Sequence, residues 1–275
     1  MSRIEEILEK ATKMRKGGGN GEKSKKMSLP GAKLPKVTRR ARIENPNVVT
    51  VLDPDSSTAE EYRKLKSMVV RLTKSDEFQN MLMVTSSVGG EGKSLTALNL
   101  AITLAQEYDY TVLLVDADLR RPSLNEYLGI HADIGLTDCL VDGMGVGNAL
   151  IKTGIGGLVY LPPGRRVSNP GDLLSSSRMS EIMKEIKHRY PDRYVIIDTP
   201  PVLPFAEVLS IGALVDGVIF VVREGVTSEE NLKDAVGMLK NANILGAVYN
   251  AAESVFFDGH YKYKYSKYSS YYRDR

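Results

Sequence analysis

Met81-Leu-Met-Val-Thr85-Ser86-Ser-Val-Gly-Gly-Glu-Gly-Lys-Ser94 is the stretch on which the fold turns. A run that is apolar almost throughout precedes a glycine-rich turn, and Ser94 opens a helical pattern that reaches Glu107. A strand, a glycine loop and a helix start in that order, closing on Gly92-Lys93-Ser94, have the form of a P-loop. Glycines let backbone N–H groups curl around phosphate oxygens, and the helix N-terminus adds positive potential. Lys93 is placed to neutralise β- and γ-phosphates, and the Ser94 hydroxyl to ligate Mg²⁺. Gly89, Gly90, Glu91, Gly92, Lys93, Ser94 and Leu95 are therefore the expected nucleotide contacts. One position departs from the general pattern: Ser87 stands five residues before Gly92, where a glycine is usual.

Outward from this loop, short apolar runs alternate with helical patterns. Val112–Val115, Leu158–Leu161, Val195–Ile197, Val218–Val222 and Gly246–Tyr249 read as strands buried on both faces. Ser94–Glu107, Ser176–Tyr190 and Ser228–Lys240 read as helices between them. This order predicts an α/β fold, a mostly parallel sheet covered by helices on both faces. Two strands end in acids: Val112-Leu-Leu-Val-Asp116-Ala-Asp118 and Tyr194-Val-Ile-Ile-Asp198-Thr-Pro-Pro201. Ligands of open α/β sheets bind at the carboxyl ends of strands. Asp198 reads as the Walker B acid, and Ser94, Asp116 and Asp198 are the candidate Mg²⁺ ligands.

The ends of the chain differ from its middle. Of a net charge of +3, residues 1–42 carry +9 and residues 260–275 carry +4, so the body between them is acidic at −10. Basic ends on an acidic body predict anionic partners. Residues 1–16 read as an amphipathic helix, with Ile4, Ile7, Leu8, Ala11 and Met14 on one face and lysines and arginines beside them, suited to an anionic membrane surface or a docking partner. Residues 17–46 read as a flexible basic linker, 47–259 as the globular domain and 260–275 as a disordered tail. The tail holds six of the 14 tyrosines: Tyr261, Tyr263, Tyr265, Tyr268, Tyr271 and Tyr272. By itself such a tail suits an edge strand or a single-stranded nucleic acid binder as well as a phosphoacceptor. The single cysteine, Cys139, excludes an intrachain disulfide framework, and no apolar run approaches the roughly 20 residues that cross a bilayer.

Several of these stretches together resemble the bacterial tyrosine kinases of polysaccharide export. Leu114-Val-Asp116-Ala-Asp118-Leu-Arg120-Arg-Pro122 is similar to that family's second acidic motif, Walker A′, and Asp198-Thr-Pro-Pro201 to its Walker B. Pro163-Gly-Arg-Arg-Val-Ser-Asn169-Pro170 and Val221-Val-Arg223-Glu-Gly225-Val-Thr227 resemble later stretches, and the tyrosine tail completes the set. Glu60, Arg63 and Lys66 resemble the subunit-contact motif, with lysine where the family usually has arginine; Gly89 stands where proline is common. The resemblance implies an ATP- and Mg²⁺-dependent autokinase with Lys93, Asp116, Asp118 and Asp198 as catalytic residues and Asp116 accepting or orienting the tyrosine proton. It further implies a ring-like homo-oligomer that regulates exopolysaccharide synthesis, located in the cytoplasm at the inner membrane. The N-terminal helix and linker resemble the exosortase-associated subgroup, whose partner is a membrane-spanning chain-length protein; nucleic acid is not an expected partner. The alternatives are a MinD- or ParA-like ATPase switch, which usually carries a further lysine early in the loop where this chain has Ser86-Ser-Val-Gly, and a module that binds ATP without transferring phosphate.

Overall fold

In β2 (Met81–Ser86), every side chain is buried, as the apolar run before the glycine loop requires. The computed structural model describes residues 37–74, 78–107, 110–189 and 193–252. The expected helix over 1–16, residues 17–36 of the linker and the six tail tyrosines lie outside the described residues. In chain order the strands are β1 (Val37–Thr38), β2, β3 (Val112–Asp116), β4 (Ile151–Lys152), β5 (Leu158–Leu161), β6 (Tyr194–Asp198), β7 (Gly217–Arg223) and β8 (Ile244–Asn250). They form one sheet in the order β1-β4-β5-β3-β6-β2-β7-β8, parallel except where β4 meets β5. The expected parallel sheet is therefore present, with a short antiparallel margin that the sequence did not announce. Two-residue strands such as β1 and β4 have no room for a period.

The described helices are α1 (Val49–Leu52), α2 (Ser57–Thr73), α3 (Lys93–Ala105), α4 (Leu124–Leu128), α5 (Leu136–Val141), α6 (Val146–Ala149), α7 (Pro170–Leu174), α8 (Ser177–Arg189), α9 (Glu207–Gly212) and α10 (Glu229–Met238). Three of them, α2, α8 and α10, start on hydroxyl caps: Ser56 accepts from the Ala59 N–H, Ser176 from Met179 and Ser228 from Asn231. Alternation along the strands divides the core into two layers. Leu82, Val84, Leu114 and Ile196 pack with Leu98 and Ile102 of α3 and Val69 of α2 on one face. Met81, Met83, Val115, Ile197 and Phe220 pack with Ile182 and Ile186 of α8 and Ala235 of α10 on the other. Helix α3 is buried nearly all round because α2 covers the side that the sheet does not. Residues 37–42, placed by sequence in the linker, are bonded to the body: Arg39 N–H donates to the Lys152 carbonyl, Ala41 to Thr153 and Arg42 to Leu128. Among the described residues no helix is long and apolar enough to cross a membrane.

Candidate functional site

The register of the sheet brings the acids together. Asp116 closes β3 and Asp198 closes β6, and the two are direct neighbours across that pair of strands. On its other side Asp198 is level with Val84, near the end of β2, from which the glycine loop departs. Three chain segments, with Asp198 more than 80 residues beyond the other two, thus deliver Lys93, Asp116 and Asp198 to one sheet edge. The Lys93 ammonium lies 2.5 Å from Asp118 Oδ2 and 3.8 Å from Asp198 Oδ1, and it donates to Ser94 Oγ at 3.1 Å. Asp118 is itself held by the Arg121 backbone N–H at 3.0 Å.

Asp116 and Asp198 are sealed from solvent. Burial raises Asp116 well above the usual carboxylate range, and the charges of Asp198 and Asp118 push the same way. Burial also pushes Asp198 up to about 6, against the pull of Lys93. Desolvation alone would lower the Lys93 ammonium, but Asp198 and Asp118 outweigh it and raise its pKa, so it stays charged. Asp116 Oδ1 and both Asp198 carboxylate oxygens are buried without a hydrogen-bond partner. Such orphaned hard oxygens beside the Ser94 hydroxyl fit a hard divalent cation. Among the described residues no three His, Cys, Asp or Glu side chains cage a metal by themselves. A cation here would therefore share phosphate and water oxygens, as Mg²⁺ does with nucleotides.

Above this cluster opens a cleft of about 590 Å³. Gly89, Gly90, Gly92, Lys93, Ser94 and Leu95 line it with Asp118, Arg120, Arg121 and Arg223. The cationic lining suits a polyanion. Arg120 is already engaged, 2.6 Å from Glu207 and 4.2 Å over the Phe205 ring, and Arg121 and Arg223 also stand at the cleft as exposed residues. Glu91 departs from expectation. Its carboxylate is buried, accepting from Ser87 Oγ at 2.7 Å, from the Val88 N–H at 2.9 Å and from the Thr227 hydroxyl. It shapes the loop rather than facing the cleft. Ser87, the apparent departure from the glycine pattern, is the buried donor to that carboxylate.

Sequence reasoning missed the supports behind the loop. Arg223 Nη1 donates to the Gly90 carbonyl at 2.7 Å and Asn250 Nδ2 to the Glu91 carbonyl at 2.9 Å. Arg223 and Asn250 end β7 and β8 as Asp116 and Asp198 end β3 and β6, and that shared position was the available signal. Beneath Asp116, Tyr160 of β5 donates to Asn125 Oδ1 at 2.9 Å, with Asp116 Oδ2 at 3.5 Å. Away from the cleft, Glu60 pairs with Arg63 at 2.6 Å, Arg63 also donates to the Pro54 carbonyl, and Lys66 pairs with Glu107.

The chain resembles known proteins over this same region. The ParA family model, described as NUBPL iron-transfer P-loop NTPase, matches residues 77–270. The tyrosine-protein kinase YwqD of Bacillus subtilis (strain 168) is 35% identical over 207 residues, which are 74% of this chain and 85% of that protein. The tyrosine-protein kinase etk of Escherichia coli (strain K12) is 28% identical over 214 residues, 77% of this chain but only 29% of that longer protein. The solved kinase domain of Escherichia coli tyrosine kinase ETK superposes with a TM-score of 0.69 at 28% identity, covering 77% of this chain and 82% of that one.

Proposed function

The chain belongs to the bacterial tyrosine-kinase branch of the ParA-related P-loop ATPases, and from that premise we propose that it is a tyrosine autokinase that phosphorylates its own C-terminal tyrosines. The observation that carries this reading is the Lys93 ammonium lying between Asp118 and Asp198 at the floor of a cationic cleft, with Asp116 beside them. In the reaction Lys93 exchanges Asp118 for the β- and γ-phosphate oxygens, and the loop amides take up the remaining charge. Ser94 and Asp198, helped by Asp116, would hold Mg²⁺, which would supply neutralisation of the triphosphate's negative charge. The bond from the γ-phosphorus to the ADP oxygen breaks as the tyrosine oxygen bonds to that phosphorus. Asp116 accepts or orients the phenolic proton. Positioning and charge neutralisation do most of the work in such transfers.

The tail is the substrate in this reading because it gathers six tyrosines, and each phosphate adds about −1.5 to −2 charges. A few would reverse the tail's balance of +4 and weaken its hold on an acidic neighbour. Glu60, Arg63 and Lys66 on α2 would join subunits in a ring by exchanging their own partners for a neighbour's. The N-terminal segment would dock on a membrane-spanning chain-length protein or an anionic membrane face. Such docking would put the enzyme at the cytoplasmic side of an inner membrane, where it would regulate exopolysaccharide synthesis and export. Placement in the exosortase-associated subgroup rests on residues 1–46 alone.

A second reading, a ParA-like switch that hydrolyses ATP without a protein acceptor, is supported by the family model. Against it, the early part of the loop, Ser86-Ser-Val-Gly, holds no further lysine. Purified protein incubated with MgATP, with phosphate mapped by mass spectrometry and Lys93→Met as control, separates the two. The autokinase reading expects phosphate on Tyr261–Tyr272 that is absent from Lys93→Met. ATP turnover with an unmodified tail would falsify it in favour of the switch.

A further inference from the structure

We propose that Asn250 is a positioning residue that holds the phosphate-binding loop in its anion-accepting shape, with Thr227 as the second arm of the same clamp. The loop contains Gly90 and Gly92 at φ +85° and +92°, two left-handed residues flanking Glu91. Glycines give this turn its shape but little stiffness of their own. Stiffness comes from behind: Asn250 Nδ2 holds the Glu91 carbonyl at 2.9 Å, and the Thr227 hydroxyl holds its buried carboxylate. A trans peptide points its C=O and N–H in opposite directions. Drawing the Glu91 carbonyl towards Asn250 therefore turns the Gly92 N–H to the opposite side. Gly92 lines the cleft there, while Asn250 stands behind the loop. The fit is close, since a Cβ at Gly92 would lie 2.1 Å from Asn250 Nδ2. An asparagine at a strand end beside a nucleotide cleft would otherwise be read as a contact for the base, and the geometry gives it to the phosphates instead.

This inference rests on nucleotide binding by the P-loop and not on the autokinase reading, so it is tested by binding alone. Full-length protein is titrated with MgATP, MgGTP and magnesium tripolyphosphate, which lacks a base, in the wild type and in Asn250→Ala, Thr227→Val and Thr227→Ser. Loss of one hydrogen bond of this kind predicts a weakening of roughly threefold to tenfold. The expected result is the same factor for MgATP and tripolyphosphate in Asn250→Ala and Thr227→Val, with recovery in Thr227→Ser and an unchanged preference for ATP over GTP. Weaker MgATP binding with tripolyphosphate untouched, or a lost ATP preference, would overturn it and return Asn250 to the base. Unchanged binding in both variants would overturn it as well. Should Asn250→Ala fail to fold, the Thr227 pair decides, because it leaves β8 intact.

Discussion

Two sets of buried carboxylates lie at one sheet edge, and they are treated in opposite ways. Glu91 accepts from a serine hydroxyl, a backbone N–H and a threonine hydroxyl. Asp116 and Asp198, equally buried and side by side, keep three of their four oxygens without a hydrogen-bond partner. A fully satisfied carboxylate fixes a shape, whereas unsatisfied ones have pKa values raised by burial, in Asp116 also by the charge of Asp198, and favour any cation that arrives. The first arrangement is built for the loop, and the second stores a cost that ligand binding relieves.

Removing one carboxylate from each set tests this contrast. Asp198→Asn should lower phosphoryl transfer by about a hundredfold or more, yet raise the melting temperature of the nucleotide-free protein, because a buried charge disappears while Lys93 keeps Asp118. The sign with pH follows from the same group. Its native pKa of about 6 lies above the 3.8 of the free side chain, so the native state binds the proton more tightly. This contribution favours folding fully below about pH 4 and is lost as pH rises through about 6. Denaturant unfolding of the free protein should therefore show lower stability at pH 7.5 than at pH 5, with a flatter profile in Asp198→Asn. An Asp198→Asn protein less stable than wild type at pH 7.5 would break the comparison.

Glu91→Ala should do the reverse. It leaves buried donors on Ser87 and Val88 unpaired and should cost about 1–3 kcal/mol of stability, read as a lower urea midpoint with no gain at any pH. The smallest effect is expected at Arg63→Ala on α2, where an exposed i,i+3 pair with Glu60 contributes about 0.5 kcal/mol or less. Light scattering on this variant would sharpen the contrast: a smaller assembly at unchanged stability would assign Arg63 to contacts between subunits.

The central strands and long helices were legible because each has a buried period or an apolar run several residues long. The acidic edge of the sheet was legible because aspartates end two such runs. What stayed hidden was short or non-local. Strands β1 and β4 have two residues each, and the antiparallel margin depends on their pairing. The bond between Asn250 and the Glu91 carbonyl joins positions 159 residues apart, and no spacing rule reaches across such a gap. Ser87 looked like a departure because the general loop pattern has glycine at that position, and a pattern of that kind does not carry the side-chain bond from Ser87 to Glu91.

Asn250 closes β8 at the edge where phosphates would bind, and Tyr261 follows it by 11 residues. A segment of that length at full stretch spans roughly 40 Å at most. On the autokinase reading, a reach of that order would let Tyr261 approach the cleft of its own chain as well as that of a neighbour. A neighbour's tail has to compete with this resident one. Assembly would then change whose tyrosines are modified, and simple dilution would not silence the enzyme.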